Sequence, residues 1–152
     1  MRVVVGVEGE QGLDARLRCM MGAWLSMVGI VSGTRLGASH AIGHILGGSA
    51  NVPHGHTSCV MLPYVLDFNA QVNSQRQREV SAAMGRPEKR ASEVLDDFIR
   101  GLGMPRRLRE VKVEEADLPR LAQNCMLDDW TYSNPRPISR SEEVLEILRA
   151  AY

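Results

Sequence analysis

From Gly12 onward, apolar positions recur with a helical rather than a strand period. In LDARLRCMMGAWLSMVGIVSG, Leu13, Leu17, Met20 or Met21, Trp24, and Met27 or Val28 fall on one side of a helix, and Gly22 and Gly29 weaken it locally. Gly33 and Gly37 punctuate the chain before SHAIGHILGG. There Ser39 as N-cap and Gly47-Gly48 as C-cap predict about two turns over His40–Leu46. SANVP reads as a loop, and a further helix runs from Gly55 through TSCVMLPYVLDFNAQVN, with Pro63 starting a fresh helix or kinking this one. Gln75–Met84 and Glu88–Leu102 predict two more, separated by Gly85-Arg86-Pro87. Gly103-Met104-Pro105 breaks the pattern, Asp117–Met126 resumes it, and Trp130–Pro137 is irregular. Ser139 with Glu142 is a capping box opening EEVLEILRAAY. VVVGV, near residues 2–7, is the one strand candidate. No internal repeat or linker interrupts this order, so the prediction is all-α and one domain.

Length and charge narrow the function classes. A chain of 152 residues can bury a core without staples. Eighteen basic residues balance eighteen acidic ones, so no long-range field recruits nucleic acid or an anionic membrane. Neither is an expected partner. Cys19, Cys59 and Cys125 are odd in number and widely spaced, which suits a reducing cytoplasm and argues against a disulfide framework. VVVGV is too short for a signal-peptide core and is cut off by Glu8 and Glu10. Met20–Val31 is about half a membrane span. The expectation is a soluble, cytoplasmic protein.

All four histidines lie between His40 and His56. His40 and His44 are four apart and share a helix face. Pro53-His54-Gly55 adds a third at a loop-to-helix junction, where glycine admits close backbone approach; His56 points elsewhere once the helix has begun. On the residues alone, two readings stand. The rings cap and solvate a short glycine-rich helix, or they belong to a metal or proton-transfer site. A zinc-type shell needs three or four protein ligands, and the nearest downstream acid is Asp67. Cys59 sits in an apolar run and reads as a buried structural thiol.

The series Gly37, His40, His44, Gly47, Pro53-His54-Gly55, Leu62-Pro63, Val65 and Asn69 resembles the signature of the iron-containing alcohol dehydrogenase family. Asp14-Ala15-Arg16, GLGMPRRLREVKVEEADLPRLAQNC and NPRPIS with EEVLEILRAAY extend the resemblance over residues 12–152, and the Asn-Pro-Arg-Pro stretch is similar to the maleylacetate reductase branch. The resemblance implies a helical bundle like the C-terminal domain of these enzymes, dehydroquinate synthase-like. It implies a divalent metal, iron or zinc, with His40 and His54 as ligands and His44 beside the substrate in proton transfer or positioning. The activity implied is NAD(P)-dependent oxidation or reduction of a small-molecule alcohol or carbonyl.

The family's other two ligands, an Asp and a His four residues apart, are expected upstream of residue 12, yet MRVVVGVEGEQ holds neither. Gly47-Gly48-Ser49 follows a helix rather than a strand and so reads as a turn, not a phosphate loop. The expected division is therefore an unassigned segment, 1–11, and a helical metal- and substrate-binding domain, 12–152, with the nucleotide-binding domain absent. NAD(P) would then require a separate nucleotide-binding polypeptide, and the chain is expected to self-associate or form a homo-oligomer. The competing reading is a non-catalytic remnant or interaction domain of the same fold. Of the remaining residues, Arg136 reads as structural or solvent-exposed, and Asp128 and Asp129 as a solvated helix end. Met20, Met21, Met27 and Trp24 read as core.

Overall fold

The computed structural model describes residues 10–152, with side chains from Gly12. The strand expected near residues 2–7 lies outside them. All the described regular structure is helical, and the chain parts into two compact units between Arg35 and Leu36.

The first unit holds α1, Glu10–Ser26, and α2, Val28–Val31. The turn at Met27 keeps helical bonding, with Met27 N–H donating to Trp24 O at 3.1 Å and Val31 N–H to Met27 O at 3.0 Å. Gly33, at φ 87°, closes the unit in the left-handed conformation that glycine takes without steric cost. The apolar stripe is present, but it is not core: Trp24 is 72% exposed, and Leu17, Met20, Met21 and Met27 are exposed too. Periodicity marks a face suited to burial without saying what covers it.

The second unit is a bundle of α3 (Ala38–Ala50), α4 (His54–Ala83), α5 (Ala91–Gly101), α6 (Leu118–Cys125) and α7 (Ser141–Ala151). Single 3-10 turns lie at Leu108–Val111, Glu115–Asp117 and Asp129–Thr131. Ile42 and Leu46 from α3 meet Val60, Met61 and Phe68 from α4, Leu121 from α6, and Val144, Ile147 and Leu148 from α7 in one buried cluster. Burial of such side chains contributes roughly 1.5–3 kcal/mol each.

Four boundaries differ from the expected ones, each for a local reason. Gly37, not Ser39, is the N-cap of α3. Gly47-Gly48 lies inside α3, which ends when Asn51 turns left-handed at φ 52° and Val52 N–H bonds Leu46 O at 3.2 Å. Asparagine tolerates that conformation better than most residues. Helix α4 runs straight through Pro63 and departs from helical geometry only at Asn73. Proline there removes the bond normally made to the Cys59 carbonyl, and Arg100 of α5 replaces it, its Nη2 donating to Cys59 O at 2.7 Å. At the start of α7 the capping acid is Glu143 rather than Glu142. Its Oε2 accepts from Ser139 N at 2.8 Å and Arg140 N at 3.0 Å, and these bonds hold its carboxyl below the ordinary glutamate range. Among the described residues no helix is long and apolar enough to cross a membrane.

Candidate functional site

The histidine face begins with how the N-terminus of α3 is fixed. Its first free donor, Ala38 N–H, bonds Asn134 Oδ1 at 3.2 Å, a cap supplied from far along the chain. Asn134 and Asn69 of α4 form a reciprocal amide pair, Asn134 Nδ2 to Asn69 Oδ1 at 2.7 Å and Asn69 Nδ2 to Asn134 Oδ1 at 3.1 Å. Asn134 Nδ2 also donates to Arg136 O at 2.7 Å. Both amides are buried, so their satisfaction is what makes the arrangement stable. The pair ties the Asn-Pro-Arg-Pro stretch to α3 and α4 together. Gly37 has room for nothing larger, since a Cβ there would lie 2.9 Å from Asn134 Oδ1 and 3.3 Å from its Cα. Arg136 completes the clamp, its guanidinium 3.8 Å from the centre of the Phe68 ring, which is the structural role expected of it.

On this frame α3 presents His40 and His44, with ring centroids 6.4 Å apart. The first turn of α4 presents His54, brought near by close helix packing: a Cβ on Gly43 would lie 3.0 Å from Thr57 Oγ1. Partial burial pushes the His40 pKa down, and the neighbouring charges of His44 and His54 lower it further. The shift favours the neutral imidazole, the form that ligates metals. His56 is not among the groups acting on it.

The structure adds two residues that sequence spacing did not reveal. Asp128 Oδ2 lies 2.7 Å from His44 Nδ1, and Asp128 Oδ1 accepts from Trp130 N at 2.9 Å. The Asp128 side chain is only 17% exposed, so the expected solvated helix end applies to Asp129 but not to Asp128. The Trp130 ring packs on both histidines, 5.0 Å from His44 and 5.9 Å from His40 between centroids. Neither residue carries a local signal, because the 84 positions from His44 to Asp128 are bridged only by the fold. The acid next to the histidines is thus Asp128, not Asp67, whose carboxylate binds Arg90 and Ser92.

The donors present do not by themselves fit a metal shell. Among the described residues no three His, Cys, Asp or Glu side chains converge as an ion requires. Cys125 is buried, its thiol pushed up to about 12 by that burial and by Asp128; Cys59 is half-buried rather than buried, as its sequence context implied. Gly47-Gly48-Ser49 is helical, and so is not a phosphate loop.

The sequence model described as "Fe-containing alcohol dehydrogenase family, C-terminal" matches residues 3–152. The chain belongs to this family. The match takes in most of the segment that the motifs alone left unassigned. Among family relatives, maleylacetate reductase 2 of Cupriavidus pinatubonensis is 34% identical over 151 residues, covering 97% of this chain and 40% of its own length. Lactaldehyde reductase of Escherichia coli K12 is 30% identical over 148 residues, covering 91% of this chain and 38% of its own. An iron-containing alcohol dehydrogenase from Corynebacterium glutamicum superposes with a TM-score of 0.66 at 33% identity, over 76% of this chain and 31% of that one. The chain thus spans about two fifths of the length of these curated relatives.

Proposed function

We propose that this chain forms the metal- and substrate-facing wall of an NAD(P)-dependent oxidoreductase acting on an alcohol or carbonyl. The observation that carries the reading is the grouping of His40, His44 and His54 within the family-matched segment, with the His40 pKa pushed down by burial and by the other two rings. His40 and His54 offer imidazole donors to iron or zinc, whose remaining ligands come from outside the described residues. His44 is the proton-handling ring: it would take the O–H proton of a substrate hydroxyl on its free nitrogen, while NAD(P)+, when bound, would accept the hydride from carbon as the carbonyl forms. A nucleotide-binding polypeptide or domain supplies the NAD(P) site, since no strand-turn-helix phosphate loop exists among the described residues. The similarity to maleylacetate reductases and to lactaldehyde reductase supports a small carbonyl substrate.

Calorimetric titration with zinc and with iron(II) tests this for the wild type, His40→Ala and His54→Ala. Two imidazoles without an anionic ligand bind weakly, so the expected result is weak wild-type binding that either substitution abolishes. Binding indifferent to both substitutions, or no binding at all, overturns the reading. It would leave the chain as a non-catalytic helical module of the same fold.

A further inference from the structure

We infer that Asp128 is a positioning residue that fixes the tautomer of His44, leaving Nε2 without a proton. The inference rests on His44 being the proton-handling ring, and deepens that reading with a partner 84 residues further along the chain. An ionised carboxylate only accepts hydrogen bonds. At 2.7 Å from Asp128 Oδ2, Nδ1 must therefore be the nitrogen that carries the hydrogen. In a neutral ring Nε2 then holds a lone pair and faces away from the acid. The orientation is guarded at both ends. Asp128 cannot swing, because its other oxygen accepts from Trp130 N at 2.9 Å, at the start of the Asp129–Thr131 turn. The His44 ring cannot turn freely, because the indole of Trp130 lies 5.0 Å from its centre. The same turn thus supplies both the acid and the plate that hold the ring. This pairing is how a carboxylate readies an imidazole to accept a proton.

The arrangement dictates the effect of one nearly isosteric change. In Asp128→Asn, the oxygen must still accept from Trp130 N–H, so the amide nitrogen is directed at His44. An amide nitrogen only donates, and Nδ1 must then accept. The proton moves to Nε2, and the lone pair that faced outward is lost.

The test is long-range 1H–15N NMR of the full chain without metal, at about pH 9, above the ordinary histidine range. The His44 signals are assigned by their loss in His44→Gln. The expected result is a proton on Nδ1 in the wild type and on Nε2 in Asp128→Asn. A merely structural role for Asp128 would alter stability without exchanging the nitrogens. A wild-type His44 with its proton on Nε2 overturns the proposal, and this result does not depend on Asp128→Asn folding. A folded Asp128→Asn that keeps its proton on Nδ1 overturns it equally. Because the measurement contains neither metal nor substrate, it fails or succeeds independently of the metal titration. A wrong tautomer leaves binding at His40 and His54 untouched, and absent metal binding leaves the tautomer result standing.

Discussion

At the residue scale, the site's chemistry depends on a few side chains whose environments differ more than their spacing implies. His40 and His44 are equivalent by pattern, four apart on one face. In the fold they diverge: His40 is half-buried among other imidazoles, while His44 is paired with an acid. The histidine cluster was legible because its members are close in sequence. Asp128 was not, because a residue far along the chain has no local periodicity linking it to α3. The depressed His40 pKa sets the sign of one pH effect. Below about pH 6.5 the unfolded chain takes up a proton that folded His40 refuses, so stability is lost as pH falls through that window and is complete above it. Urea unfolding at about pH 7 and about pH 5 checks this, with His40→Gln expected to lose less stability on acidification than the wild type.

At the element scale, the helices were legible and their ends were less so. Apolar periodicity identifies the buried faces of α3, α4 and α7, whose Ile42, Leu46, Met61, Ile147 and Leu148 are all buried. Their ends and breaks are decided by particular partners, some of them remote in sequence. Asn134 caps α3 where a local serine was expected, and Arg100 accommodates Pro63 within α4 where a fresh helix or a kink was expected. Glu143 displaces Glu142 because it alone reaches back to the amides of Ser139 and Arg140. Gly37 is the sharpest case: its φ of −106° is open to any residue, so the requirement is one of space rather than of backbone. Gly37→Ala places a methyl against Asn134 Oδ1, which is held by both Ala38 N–H and Asn69 Nδ2 and cannot yield without breaking them. The expected loss is about 1–3 kcal/mol by denaturant unfolding. An unchanged midpoint would mean that the amide clamp does not hold the helix.

At the scale of the whole molecule, the chain belongs to the family and matches about two fifths of the length of its curated relatives. The two helices of the first unit carry most of the large exposed apolar side chains among the described residues. Leu13, Leu17, Met20, Trp24 and Val31 are all more than half exposed, a larger apolar face than a lone helix keeps in water without consequence. We expect the isolated chain to self-associate. Sedimentation velocity across a concentration series checks this, and a monomer that persists at high concentration would show that face to be covered or inert. Which surface meets which partner was not legible, since periodicity reports that a face is apolar and not what it contacts.

The central claim is the proposed one, that His40 and His54 both donate to a single metal ion. The measurement that tests it most directly is anomalous scattering from crystals of the chain soaked in zinc. The expected result is a zinc peak about 2.0–2.1 Å from a ring nitrogen of each of these two histidines, with solvent completing its coordination. A zinc peak elsewhere, with both rings free, would contradict the account.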